Sequence, residues 1–350
     1  MKIAAQRNLS DNALSAFDEA WHHHFHRLIF EGSRLPLRAI LPLLSGKRSK
    51  PSPEFLYKLR EELSELIARD IQNVNDGYYP KSTLRFPLKS YLYSTLTSNP
   101  LDGLRVLKRA KNNNWKELPT HANKHAYPDY YLRTFHWQTD GWFSERSAKR
   151  YDASVQFLFG GVADIMRRMA LPPVAKSIHN KHKPIIVELA CGTGSFLPQI
   201  HSAFPNAIVF GIDLSPDYIN YARKKITHPN IRLIQRNVES LPFDDNSVDA
   251  IICNNLFHEL PPVIRRHIFH EVHRVLKVDA VFSLTDSVQQ GDSQIMAESI
   301  SNFSSLFHEP FHKNHIQDDL KSIFVECGFE PSNAQTNVFS KSIFGVKHEQ

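Results

Sequence analysis

From Ile185 onward, short runs rich in isoleucine and valine alternate with amphipathic helical stretches. No other feature constrains the chain as much, because repeated βα units around a mainly parallel sheet need this alternation. The pattern predicts strands at Ile185–Leu189, Ala207–Asp213, Ile231–Gln235, Val248–Cys253 and Ala280–Thr285. Helices are expected over Phe196–Ala203, Pro216–Ile226 and Pro262–Leu276. After an insertion at about 288–315, Ile316–Cys327 reads as a helix stopped by Gly328. Strand-like pieces follow near Ala334–Phe339 and Ser342–Val346. The expected class is α/β.

The first 135 residues read differently, as helices broken by prolines. Ser10-Asp11-Asn12 is the cap expected for a helix over Ala13–Phe30. Pro51-Ser52-Pro53-Glu54 opens a second helix, in which Leu56, Leu59, Leu63 and Leu66 recur at helical spacing and mark a packed face. The polar stretch from Lys111 to Pro128 reads as a linker or exposed loop. The organisation expected is an N-terminal helical domain or cap over 1–135 and an α/β domain over 136–350, with its core from about 183.

A net charge of +6 is unevenly spread: residues 1–135 hold 21 Lys and Arg against 13 Asp and Glu. The basic residues stand singly, so a solvated surface is the preferred reading over a nucleic-acid face. Neither a signal-peptide core at the start nor an apolar run long enough to span a bilayer is visible, and the cytoplasm is the default location. Cys191, Cys253 and Cys327 are too scattered for a disulfide framework or zinc ribbon. His22, His23, His24 and His26 lack a third ligand nearby and read as surface or partly packed residues of their helix. His308 and His312 have metal-ligand spacing, but Pro310 argues against a continuous helix between them, and no metal is assigned.

The sharpest local signal is Glu188-Leu189-Ala190-Cys191-Gly192-Thr193-Gly194-Ser195, where strand 1 must turn into its helix. Gly192 and Gly194 let the backbone approach a ligand closely, and Asp213, 21 residues after Gly192, ends the next strand where a carboxylate meets ribose hydroxyls. A dinucleotide fingerprint would need Gly or Ala at 197, where Leu197 stands, and Glu188 would repel a pyrophosphate. A sulfonium nucleoside without phosphate, S-adenosylmethionine, suits these residues better.

The segment resembles motif I of class I S-adenosylmethionine-dependent methyltransferases, and the resemblance runs from about Tyr151 to the C-terminus. Phe210–Pro216 is similar to that family's second motif. Arg236–Phe243 is similar to its adenine-contacting segment, with Asn237 where Asp is usual. Asn254–Leu260 occupies the motif flanking the methyl-transfer cleft. His273–Lys277 resembles the helix ending before strand 5, although the usual K-P-G-G turn is here Lys277-Val278-Asp279-Ala280. The resemblance implies a Rossmann-like seven-stranded sheet, five strands parallel and a terminal antiparallel hairpin. It also implies cofactor contacts from Glu188, Ala190, Gly192, Gly194, Asp213, Leu214, Asn237, Val238 and Asn254.

Upstream, Tyr130–Trp142 is similar to the segment before the core in small-molecule methyltransferases related to the quinone-biosynthesis group, which makes Tyr151 and Trp142 candidates to cap the cofactor. His258 and Glu259, just past strand 4, are the candidate bases, with His308 from the insertion in the acceptor pocket wall. Asp286, which ends strand 5, could face the cleft or cap a helix.

The function expected is methyl transfer from S-adenosylmethionine to an O, N or C nucleophile of a small molecule, aromatic or isoprenoid in character. No nucleic-acid partner is expected; a homo-oligomer is left open. Two rivals stand beside it. One is a nucleic-acid or protein methyltransferase, motivated by the basic front half but lacking the N/D-P-P-[YFW] motif of amino-group DNA methylation. The other is a non-catalytic cofactor-binding adaptor, against which the intact glycines and ribose acid argue.

Overall fold

The structure, a computed structural model, describes residues 14–45, 52–89, 91–92, 108–109, 112, 114–135, 140–292, 309–337 and 339–349. The expected cap at Ser10–Asn12 lies outside the described residues, as does His308. Helix α1 spans Ala16–Ser45, well beyond the predicted end at Phe30, and α2 spans Pro53–Asn75. Ser52 caps α2 by accepting from the Phe55 N–H at 3.1 Å, with proline at the first helical position where no N–H is needed. Helices α3 (Glu145–Leu158), α4 (Ala163–Arg168) and α5 (Leu171–Ile178) lead into the sheet.

The βα units follow their predicted positions closely: β1 Ile185–Leu189, α6 Leu197–Ala203, β2 Ile208–Asp213, α7 Pro216–Lys225, β3 Ile231–Gln235, β4 Val248–Asn254, α8 Pro262–Val275 and β5 Leu276–Ser287. The chain ends through α9 (His312–His315), α10 (Leu320–Glu326), β6 (Phe329–Pro331), β7 (Gln335–Asn337) and β8 (Ser340–Lys347). Strand order is β3-β2-β1-β4-β5-β8-β6, the first five parallel and β8 antiparallel to β5.

The terminal hairpin differs from expectation in one respect. β6 and β7 both pair with β8 on its outer side, so the last position of the sheet is a strand broken in two. Ser332 bridges the break: its N–H donates to Phe344 O at 2.8 Å and its Oγ accepts from the Phe344 N–H at 3.1 Å. Residues 332–334 stand opposite only two residues of β8, the one-residue excess of a bulge. β5 is also longer than predicted because α8 passes directly into it. Asp279 makes the turn that the missing K-P-G-G would make, taking φ 61°, a left-handed conformation that Asp tolerates better than most side chains.

Alternation along the strands feeds two cores. Ile186, Val209, Ala250 and Ile252 pack under α5, α6 and α7, while Val187, Ile212, Ile251 and Cys253 pack with α8 and α10. A third core joins α2 to α4 through Leu59, Leu63, Leu66 and Ile67 against Ile165 and Met166. At its edge lies a buried ionic knot. The Asp70 carboxylate takes two hydrogen bonds from Arg168, at 2.8 and 2.6 Å, another from Tyr79 at 2.6 Å, and faces His22 Nε2 at 3.2 Å. Arg168 also donates to Thr83 O and to Gln199 of α6. His22 and His26 are therefore buried rather than superficial, with His26 Nδ1 3.1 Å from Gly161 O.

Candidate active site

Chain order reverses between β1 and β4, and in open α/β sheets such a point leaves a crevice at the carboxyl ends of the strands. A cleft of about 970 Å³, counting its open mouth, lies there. Its floor is the turn after β1, where Ala190, Gly192 and Gly194 take φ of 51°, 55° and 70°. Asp213, at the end of β2, ties this turn down: one carboxylate oxygen accepts from the Gly192 N–H and the other from the Ser215 N–H, each at 2.8 Å.

The two glycines serve different ends. Gly192 lines the cleft, whereas Gly194 does not; a Cβ at 194 would lie 2.7 Å from Ile226 and 3.3 Å from Ala222. Packing against α7 and its end requires a glycine at 194, while Gly192 faces the cleft. Leu197, which breaks the dinucleotide fingerprint, packs onto Gly211 of β2, where a Cβ would come within 2.6 Å. The close helix–strand approach is kept, with the glycine on the strand instead of the helix.

Glu188, Ala190, Asp213, Leu214, Asn237, Val238, Asn254 and Tyr151 all line the cleft, together with Trp142 and Glu259. Asn237 is already engaged: its Nδ2 donates to Glu239 at 2.8 Å and its Oδ1 accepts the Glu239 N–H at 3.0 Å. Tyr130 donates to the same carboxylate at 2.6 Å. Tyr151, Trp142 and Tyr218 meet edge to face over the glycine turn, with centroids 5.3 to 5.7 Å apart. Asn255, beside Asn254, takes φ 57°, a left-handed conformation that Asn tolerates, so the tops of the neighbouring strands β1 and β4 both turn left-handed.

The electrostatics favour a cation. One oxygen of Glu188 is buried without a hydrogen-bond partner among the described residues, and the Asn254 amide beside it is the one hydrogen-bonding side chain that favours its charged form. Burial pushes Glu188 up to about 8, against the pull of Arg167 and with the repulsion of Asp213. Burial likewise raises Asp213 to about 6 despite the backbone N–H groups of Ser215 and Gly192. Arg167 in the cleft wall is paired with Asp164 at 3.0 Å. Carboxylates that the protein leaves so poorly compensated gain from a positively charged ligand. S-adenosylmethionine fits this donor set: a cation for Glu188, hydroxyls for Asp213, and polar edges for Asn254.

His258 sits elsewhere than expected. It is not part of the cleft wall but lies behind it, its Nδ1 2.6 Å from Asp286, with Glu309 and Glu259 3.8 and 3.9 Å from Nε2. Burial acts to lower its pKa, but the carboxylates of Asp286 and Glu309 outweigh it and hold the imidazole near 9. A protonated imidazole has no free lone pair to take a proton from an acceptor, so the carboxylates around His258 argue against the expected role as a base. Asp286 does not face the cleft. It caps the turn at Phe257–Glu259, accepting from the Leu256 and Phe257 N–H groups at 3.1 and 2.7 Å. Of the two catalytic candidates among the described residues, Glu259 lines the cleft and His258 does not.

Sheet order, glycine turn and carboxylate-rich cleft together define a nucleoside-binding α/β domain built for a cationic ligand. Residues 186–279 match the sequence model of the methyltransferase domain. An uncharacterized methyltransferase from Synechocystis is 30% identical over 144 residues, 41% of this chain and 66% of that protein. A demethylmenaquinone methyltransferase from Chlorobaculum tepidum is 32% identical over 133 residues, 37% of this chain and 52% of that enzyme. A solved S-adenosylmethionine-dependent methyltransferase from Aquifex aeolicus is similar at 20% identity and a TM-score of 0.38, over 51% of this chain and 92% of that one. Residues 186–279 carry a methyltransferase domain, and the chain is similar to class I S-adenosylmethionine-dependent methyltransferases, those of quinone biosynthesis among them. It spans between about half and two thirds of the length of these two curated relatives. No helix among the described residues is long and apolar enough to cross a membrane.

Proposed function

We propose that this chain transfers a methyl group from S-adenosylmethionine to an oxygen, nitrogen or carbon nucleophile of a small molecule. The observation that carries the reading is the convergence of Glu188, Asp213, Asn254 and Glu259 on one cleft beneath an aromatic cover. Bound there, S-adenosylmethionine supplies an electrophilic methyl on a sulfonium. Glu188, Asp213 and Asn254 hold and orient it, and Tyr151, Trp142 and Tyr218 exclude water from above. Glu259 receives the proton of the acceptor where the acceptor carries one. His258, clamped by Asp286 and Glu309, is a positioning residue: it presents a fixed positive charge behind Glu259.

Labelled methyl transfer from S-adenosylmethionine into a small-molecule cell extract tests the reading, and no labelled product at any enzyme concentration would sink it. With an acceptor in hand, Glu259→Gln is expected to lower kcat by about a hundredfold or more at unchanged cofactor affinity. His258→Gln is expected to lower kcat less and to alter its pH profile. Equal kcat in wild type and Glu259→Gln would remove the carboxylate from the reaction.

The raised pKa of Glu188 gives a second test. Below pH about 8 the unliganded carboxylate is mostly protonated, and a cation gains only from the ionised form. Calorimetric affinity for S-adenosylmethionine is therefore expected to rise between pH 6 and 8, by at most about tenfold per pH unit, and then level off. Glu188→Gln should flatten that slope. A slope kept in Glu188→Gln would assign it to another group.

A further inference from the structure

The segment that roofs the cleft carries an arginine the reaction does not use. The Arg133 guanidinium lies 4.7 Å from the ring centre of Phe311, 5.2 Å from that of Trp115 and 5.9 Å from that of Phe135. Phe135 lines the cleft, and Phe311 immediately precedes α9. Arg168 and Arg265, both buried, are paired, whereas Arg133 is half-buried. Arg133 has no carboxylate within ion-pair distance among the described residues, and its Nε is buried without an acceptor. Burial alone acts on it, lowering its pKa with no anion to offset the cost. With aromatic rings on its faces, the guanidinium has its donor edge left, the geometry that receives a planar or tetrahedral anion through paired N–H bonds.

We propose that Arg133 is an anion subsite of the acceptor pocket, so that the methyl acceptor is a small molecule bearing a carboxylate or a phosphate. The proposal rests on the methyltransferase reading and names the substrate class within it. The anion anchors the acceptor beside Phe135, leaving its nucleophile to reach the cleft.

The test titrates the protein, with and without S-adenosylhomocysteine, with benzoate, phenyl phosphate and the neutral benzamide, following tryptophan fluorescence and the thermal midpoint. Benzoate or phenyl phosphate is expected to bind at millimolar concentration or better and benzamide at least about tenfold more weakly; which anion wins identifies the group. Arg133→Gln should lose about tenfold or more in anion affinity while its affinity for S-adenosylhomocysteine stays within about twofold. Arg133→Lys, which keeps the charge, should keep part of the anion response and covers the case in which Arg133→Gln fails to fold. Equal binding of benzamide and the anions, no anion binding by the wild type, or full anion binding by Arg133→Gln would each overturn the proposal. Failure to bind S-adenosylhomocysteine would count against the methyltransferase reading, while the arm without that ligand still reads Arg133.

Discussion

Gly192→Val is expected to abolish measurable S-adenosylmethionine binding, a loss of about a hundredfold or more in affinity, while the fold survives. The expectation rests on where the strain falls. Gly192 holds φ 55°, a conformation that costs a β-branched residue about 1–2 kcal/mol or more. Its N–H is one of the two that fix Asp213, so a shift of the turn to relieve the strain also frees that carboxylate. The new side chain would enter the cleft beneath Tyr151 and Tyr218, each 3.9 Å from the added Cβ, with open space for it to block. The added Cβ itself meets nothing nearer than those two rings. Calorimetry should show no binding, with circular dichroism and thermal midpoint close to wild type. Gly194→Val is the contrasting variant: its Cβ meets Ile226 and Ala222, so stability itself should fall. An unchanged affinity in Gly192→Val would mean the turn does not touch the cofactor.

Asp70→Ala is expected to cost about 3–5 kcal/mol of stability, the usual penalty for leaving a buried charge without its partner. Arg168 would keep its bonds to Thr83 and Gln199 but lose both carboxylate contacts in a fully buried site. Tyr79 and His22 would lose their acceptor as well. Burial tends to raise the Asp70 pKa, but the Arg168 guanidinium outweighs it and holds the carboxyl well below its ordinary 3.8. The group's contribution therefore stands in full above about pH 4 and is lost in more acidic solution, as the folded state too takes up the proton. Urea denaturation at neutral pH checks the magnitude, and Asp70→Ala with Arg168→Met should recover part of the loss. A change below about 1 kcal/mol would show that the knot does not bind the N-terminal helices to the α6 side of the sheet.

Legibility in the sequence followed the range of the interactions. Strands β1 and β3 were readable to the residue because each is a short isoleucine-rich apolar run between polar breaks, and the glycine turn because few side chains adopt its dihedrals. Asp213 was readable because spacing places it at a strand end. The Asp70–Arg168 pair, 98 residues apart, has no local signature; an arginine pair inside the apolar run Ile165–Met169 was the one available hint. The surroundings of His258 were hidden for the same reason: its position after β4 was visible, but the acids that surround it lie 28 and 51 residues downstream. The short strand β6 was missed because three residues ending in proline carry too little pattern to register. The prior engagement of Asn237 by Glu239 depends on a turn conformation that residue types alone do not fix.

The divided outer strand has a consequence for how copies of this chain can meet. A long uninterrupted rim of free amide and carbonyl groups invites another molecule to add on and extend the sheet. Here that rim offers two three-residue ledges separated by a bulge, with Ser332 already consuming the groups between them. Growth by sheet extension is thereby discouraged along this margin, and any self-association would have to be sought elsewhere on the molecule.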